Sequence, residues 1–450
     1  MVQGLDLNPD THKFAHITDC HLGSWRSPKL RELNLEAFER AVEACVAERV
    51  DFILITGDFF DVNVPDLAPV KRAVEVLKGA RERGVEIYLI YGSHDFSPNT
   101  VSMIDILHSA GLFLKPVEGE MVDGKLSLKF IVDEKTGTKI TGVSGRAREL
   151  DVPSYEFLDV AALEAEPGFK IFLMHAPIAE ITPPAFAYGE AVPIASLPRG
   201  FRYYGGGHLH KKIEYTTPEG GRIVYPGPLF GATFTDLEET AQGEKRGFYV
   251  VTFDSGGVRD VRFNEVNVAD IVYRTIDAEG KTAKQVEDNL GAVVQELDSE
   301  NKIVLIKVSG KLSSGKRADI DFSKLEQSLI QKGATAWFIN RNGLVSSEAT
   351  ELRVVGSSRE EVEDMILKER TARFSVDPAI TDWRVRNALQ TKLTGERGEQ
   401  LAKGLLRGLK TEKLENEKND DFEMRLLLEV QPIIEPKELS AAEGSPEKQN

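Results

Sequence analysis

Five short segments hold the side chains that can do chemistry: FAHITDCHLGS (14–24), ILITGDFFD (53–61), YLIYGSHDF (88–96), IFLMHAP (171–177) and YYGGGHLHK (203–211). In each, an apolar run ends in Asp, His or Gly-Asp, as when a sheet delivers ligands from the carboxyl ends of its strands. Asp19, His21, Asp58, His94, His175, His208 and His210 offer carboxylate oxygens and imidazole nitrogens but no thiolate. That donor set suits Mn, Fe or Zn better than a Cys-rich structural zinc site. Gathered in one place, these groups could hold two cations about 3.5–4 Å apart, able to activate a water and to clamp both oxygens of an in-line displacement at phosphorus. Asp58 is the natural bridge, because Gly57 lets the chain turn sharply ahead of it. Three glycines ahead of His208 would let that segment pass close beside the ions. Taken alone, each histidine reads better as a satisfied structural residue; in this order, together, they point to one site. Cys20 lies between two candidate ligands with no basic neighbour and reads as a strand-end filler, not a nucleophile.

Periodicity supplies the elements that must position these residues. Residues 14–19, 52–56 and 86–91 read as strands, with helices between them around Leu33–Cys45 and 67–83. This alternation implies an α/β layer. Beyond about residue 112 the pattern turns strand-rich, at 138–143, 170–174, 202–206, 222–225 and 247–253, so the expected fold is α/β, a two-sheet β-sandwich flanked by helices, over 1–268. A small α+β unit follows at 269–345, with strands 271–277, 303–310 and 334–340 and helices 282–297 and 321–332. Residues 346–434 read as helical. Ser358 and Glu361 form a capping-box pattern, Pro378 marks a loop, Gly395 and Gly398 separate short amphipathic pieces, and 411–424 reads as a charged linker. Such pieces do not easily build a core and suit docking of a partner in a groove, although they could instead fold back onto the body. Residues 435–450 read as a disordered tail.

A chain of 450 residues needs more than one core. Two cysteines exclude a disulfide framework and point to a reducing compartment. No run has the length of a membrane span and the N-terminus lacks a signal pattern, so a cytoplasmic protein without a membrane partner is expected. The net charge of −16 argues against a uniformly basic nucleic-acid surface. It leaves room for local contacts, since Arg26, Lys29, Arg31, Arg199, Arg202, Lys211 and Lys212 lie near the motifs.

The motif order D-x-H, G-D, H-D, H, G-H-x-H resembles the calcineurin-like metallophosphoesterases. More narrowly, HITDCHLG, LITGDFFD, GSHD, LMHAP, GGHLHK and VYPGP are similar to the nuclease subunit of the DNA double-strand-break repair complex, the meiotic-recombination-eleven or SbcD family. The motifs lie in about the first half of the chain. The resemblance implies a Mn²⁺-dependent enzyme with two ions per subunit, acting on DNA as a 3′-to-5′ double-strand exonuclease and single-strand endonuclease. It implies a homodimer built on helices near 67–83 and 100–110, a capping role for the α+β unit, and docking of a Rad-fifty-type coiled-coil ABC ATPase on the helical region. It implies that Asp19, His21 and His210 hold one ion, Asp58 both, and His175 and His208 the other. His94, aligned by Asp95, would be the general acid at the leaving oxygen. The family has Asn before that histidine as a ligand to the second ion; here Ser93 stands in its place, set closer to the backbone. Two other readings stay open: a phosphatase or small-nucleotide phosphodiesterase of the same superfamily, and a weakly active scaffold.

Overall fold

The computed structural model describes residues 11–97, 101–145, 152–184, 191–346, 359–372, 374, 383–411 and 419–434. The chain divides into two units, Met1–Glu348 and Ala349–Asn450. No helix among the described residues is long and apolar enough to cross a membrane.

The first unit opens with β1 (His12–Ile17), α1 (Pro28–Ala47), β2 (Phe52–Thr56), α2 (Leu67–Glu82) and β3 (Glu86–Ile90). It continues through α3 (Met103–Ser109), β4 (Gly119–Val122), β5 (Lys125–Leu128), β6 (Ile131–Val132), β7 (Lys139–Val143), α4 (Val152–Glu156) and α5 (Val160–Ala165). Then come β8 (Lys170–Met174), β9 (Tyr203–Gly206), β10 (Ile213–Thr216), β11 (Arg222–Tyr225), α6 (Phe234–Ala241), β12 (Gly247–Asp254) and β13 (Gly257–Glu265). One sheet has the order β13-β12-β1-β2-β3 and the other β10-β11-β9-β8-β7-β6. At the heart of each sheet the strands run parallel: β1, β2 and β3 in one, β7, β8, β9 and β11 in the other.

Strands buried on both faces read as continuous apolar runs, and here the two-residue period still sorts them into layers. Phe14, Phe52, Leu54, Tyr88, Ile171, Leu173 and Tyr249 meet between the sheets. Their neighbours Ala15, Ile53, Ile55, Ile87 and Leu89 face the other way, under Leu30, Phe38, Ala41 and Leu77 of α1 and α2. Phe172, Met174 and Ile223 line the outer face of the second sheet. Pro28 at the first turn of α1 suits a position whose N–H has no intrahelical partner. The strand expected to reach residue 19 stops at Ile17, because Asp19 turns into left-handed backbone at φ 48°.

The following β14 (Ile271–Asp277), α7 (Ala283–Glu296), β15 (Ile303–Lys311), α8 (Phe322–Gln331) and β16 (Ala336–Val345) form a small sheet in the order β14-β15-β16, all parallel. Val304, Ile306 and Val308 face α7 and α8, where Val286, Leu290 and Leu329 cover them. Ile303 and Leu305 on the opposite face join the cluster that contains α1, so this sheet is seated on the larger body.

In the second unit α9 (Arg359–Ala372), α10 (Trp383–Leu393) and α12 (Asn419–Ile434) all pack against α11 (Gly395–Leu409). Three expectations change here. Gly398 is no break but lies in the first turn of α11; residues 419–424 belong to α12 and not to a linker; and the helices do pack on one another. Glycine explains the last point: a Cβ on Gly404 or Gly408 would come within 2.9 Å of Ile433 or 2.8 Å of Val430, so these positions let α11 and α12 approach closely. Ser358, Pro378 and the tail 435–450 lie outside the described residues.

Phe14 is fully buried, stacked on Phe52 at 5.2 Å and edge-on to Tyr203 at 4.9 Å, and so joins the two sheets. Phe14→Ala should lower the unfolding free energy by about 3–5 kcal/mol in chemical denaturation; a loss under about 1 kcal/mol would mean that the sheets do not depend on this contact.

Candidate metal centre

The carboxyl ends of β1, β2, β3, β8 and β9 meet at one edge of the sandwich, and the turns that follow them carry the candidate residues. Three groups have ligand atoms within 4.8 Å of one another: Asp19, His21 and His210; His21, Asp58 and His94; Asp19, Asp58 and His175. Asp58 belongs to two of the three, and each of these shares Asp19 or His21 with the first. Its Oδ2 lies 3.6 Å from His21 Nε2 and 3.3 Å from His175 Nε2. His208 enters differently: its backbone N–H donates to Asp19 at 3.0 Å, and its ring stands 5.4 Å from that of His175. Ser93 sits on the turn after β3, between Gly92 and His94.

The backbone is bent to make this possible. Asp19, His21, Asp58 and His208 all have positive φ, at 48°, 43°, 47° and 86°. Non-glycine residues rarely adopt this conformation, and strain of this kind concentrates at functional sites. Gly57 has φ 91°, and a Cβ there would strike His175 and come within 2.7 Å of Gly92. At Gly207 a Cβ would strike Thr56 O and Thr18 Oγ1, so the chain before His208 does pass close to its neighbours.

The hydrogen bonds fix which nitrogens face inward. His175 Nδ1–H donates to the Thr56 carbonyl at 2.7 Å, leaving Nε2 buried with no hydrogen-bond partner. His210 Nδ1–H donates to Asp236, 3.1 Å from both oxygens. Its Nε2 lies 3.0 Å from His21 Nε2, a separation that requires a proton or a cation between the two nitrogens. His21 Nδ1 is also without a hydrogen-bond partner, 3.3 Å from Asp61 Oδ1. These unsatisfied buried nitrogens beside two carboxylates fit a divalent-cation centre.

Electrostatics agree. Burial works against a charged Asp58, yet His175 and His21 hold its carboxyl well below the usual range. Burial likewise works against a charged His175, but Asp58 and Asp19 push it up to about 10. His208 drops to about 4, first through burial and then through the charge on His175. Burial, and next the Asp58 charge, raise Asp95 to about 6.

Asp95 has a different job from the one expected. It accepts the backbone N–H groups of Phe59, Phe60 and Gly92 at 3.1, 3.0 and 3.0 Å, and so ties the turn after β2 to the turn after β3. His94 is oriented instead by the Asp61 carbonyl, which takes its Nδ1–H at 2.6 Å, and its backbone N–H donates to Asp58 at 2.8 Å. Sequence reasoning missed both Asp61 and Asp236. Asp61 closes the ILITGDFFD segment, and Asp236 stands three residues after Thr233 in a capping box on α6. A carboxylate on the second nitrogen of a ligating histidine is the usual way of fixing its tautomer.

Burial tends to lower the pKa of His210, but Asp236 holds it up at about 9. The pair therefore contributes stability that is complete below the unfolded value of about 6.5 and fades as pH rises through about 9. In the metal-free protein Asp236→Asn should lower the His210 pKa from about 9, because burial is then opposed only by the charges on Asp19 and Asp58. NMR titration of the ring checks this, and a value that stays near 9 would contradict it.

Residues 12–212 match the calcineurin-like phosphoesterase family. Among curated proteins the chain is similar to the DNA double-strand break repair protein Mre11 of Archaeoglobus fulgidus, 25% identical over 70% of this chain and 74% of that one. The protein of the same name from Methanopyrus kandleri is 28% identical over 56% of this chain and 57% of its own. That from Sulfurisphaera tokodaii is 29% identical over 54% and 60%. The chain thus spans less than two thirds of the length of two of these three relatives. A metal-dependent phosphoester hydrolase is the activity that this likeness and the ligand cluster support together. The chain carries a calcineurin-like phosphoesterase domain and has curated Mre11 proteins among its relatives.

Proposed function

We propose that this protein is the nuclease subunit of a DNA double-strand-break repair machine, a Mn²⁺-dependent 3′-to-5′ double-strand exonuclease and single-strand endonuclease. The observation that carries this is the convergence of Asp58, His21 and His175, with unpartnered buried nitrogens, in a chain similar to Mre11 proteins. We assign Asp19, His21 and His210 to one Mn²⁺, Asp58 to both, and His175 and His208 to the second, with Ser93 where the family has its Asn ligand. When bound, such cations supply Lewis-acid polarisation of phosphoryl oxygens and lower the pKa of a water.

The chain's own residues do the rest. Thr56 and Asp236 hold the tautomers of His175 and His210, and Asp95 locks two of the ligand turns together. His94, held through Nδ1 by the Asp61 carbonyl, would give a proton to the leaving oxygen from its other nitrogen when the ring is protonated there. Residues 1–268 would be the nuclease domain, 269–345 the cap and 346–434 the seat of a Rad-fifty-type coiled-coil ABC ATPase, where Leu409, Leu427 and Leu428 stand exposed. A homodimer would use α2 and α3, whose Leu67 and Ile106 are exposed. With DNA as its substrate, we assign the protein to the cytoplasm, at the nucleoid.

Linear and hairpin DNA with Mn²⁺ test the reading. His94→Gln should lower the cleavage rate by about 10²–10⁴-fold while Mn²⁺ binding persists. Hydrolysis of a chromogenic phosphodiester without cleavage of DNA would instead favour a small-nucleotide phosphodiesterase. A serine hydroxyl reaches less far than an asparagine amide, so the second ion should bind weakly. Ser93→Asn should then raise activity at limiting Mn²⁺ by about tenfold, and two equally tight sites in the unmodified protein would contradict it.

A further inference from the structure

α6 touches the metal centre with one side and the small parallel sheet with the other. Asp236 and Glu238 are two residues apart on the helix, about 200° around its axis, and so lie on nearly opposite faces. Asp236 takes the Nδ1–H of His210. Glu238 receives Lys307 Nζ of β15 at 2.9 and 3.0 Å and the Tyr273 hydroxyl of β14 at 2.5 Å. The buried Arg246 joins the helix to the ligand segment. Arg246 Nη1–H donates to the His210 carbonyl, Nη2–H to the Asp236 carbonyl, and Nε–H to Thr240 Oγ1, at 2.8, 2.8 and 2.9 Å. Phe338 of β16 adds an apolar grip, 5.1 Å from Phe234 on α6 and 6.2 Å from Trp25. Trp25 follows the His21 turn and donates its indole N–H to the Gly231 carbonyl at 2.8 Å. The same sheet thus bears on both segments that bring His21 and His210 within 3.0 Å of each other.

We propose that Glu238 and Lys307 are positioning residues, through which the small sheet sets the orientation of His210 and with it the affinity of the cation site formed by Asp19, His21 and His210. This rests on the metal assignment above. A solvent-exposed ion pair would not have this effect, but the Glu238 side chain is only 13% exposed and its partners come from two adjacent strands. The seat is therefore a built contact and not a chance surface pairing. Any ligand that shifts the small sheet would, by the same route, shift the metal site.

The test uses the full chain and Mn²⁺ alone. Calorimetry and electron paramagnetic resonance give the Mn²⁺ affinity, and the melting temperature of the metal-free protein reports on folding. Glu238→Gln and Lys307→Met should each weaken the tighter Mn²⁺ site by about three- to tenfold, less than the 10–100-fold of a direct carboxylate partner. The metal-free melting temperature should stay unchanged, and the double variant should bind no more weakly than the poorer single one. Unchanged affinity in both variants, or losses that multiply in the double variant, would overturn the proposal. Should Glu238→Gln lower the melting temperature, Lys307→Met decides, since that side chain is 42% exposed and its loss leaves the core intact. If the unmodified protein binds no Mn²⁺, the assigned metal centre fails, which is a separate outcome.

Discussion

A buried carboxylate between two imidazoles is the constraint around which the rest of the structure is arranged. Asp58 is 2% exposed and His175 likewise, and burial at that depth penalises an unpaired charge heavily. The carboxylate is tolerable only because His21, His175 and the backbone N–H of His94 surround it. These partners come from the ends of different strands in two sheets, so the sandwich has to bring those ends together. The tight turns at Asp19, His21, Asp58 and His208, all with positive φ, are the conformational consequence. A divalent cation at this place would meet the buried Nε2 of His175 and the facing nitrogens of His21 and His210.

The supporting shell divides its work by distance from that carboxylate. Thr56, at the last position of β2, takes His175 Nδ1–H on its carbonyl, while its hydroxyl bonds the Gly206 carbonyl and meets the buried His16. Asp95 gathers three backbone N–H groups from two turns and has no need to touch His94. Asp236 does for His210 what Thr56 does for His175, from a helix rather than a strand end. The tautomers of His175, His210 and His94 are therefore set by acceptors that the fold places, and α6 connects one of them to the small sheet.

Much of this is legible in the sequence, and for a physical reason. Strands such as FILIT (52–56) and KIFLM (170–174) are buried on both faces, so their apolar runs stand out, and the polar residues that end them mark where the sheet stops. The candidate ligands sit at those ends and are legible with them. Asp236 is not, because a carboxylate in a helix cap looks the same whether or not it also holds a histidine. The Asp95 role was misread because adjacency to His94 in sequence says nothing of where a carboxylate at a tight turn points. Helical spacing in the second unit is visible, but Gly398 reads as a break. In the structure Gly398 lies in the first turn of α11 and Gly404 is a close approach to Ile433.

Anomalous scattering at the manganese edge, from crystals soaked in Mn²⁺, tests the central claim most directly. The account predicts two peaks about 3.5–4 Å apart on either side of the Asp58 carboxylate, one beside Asp19, His21 and His210 and the other beside His175 and His208. A map with no peak at Asp58, or with Mn²⁺ bound only elsewhere, would contradict it.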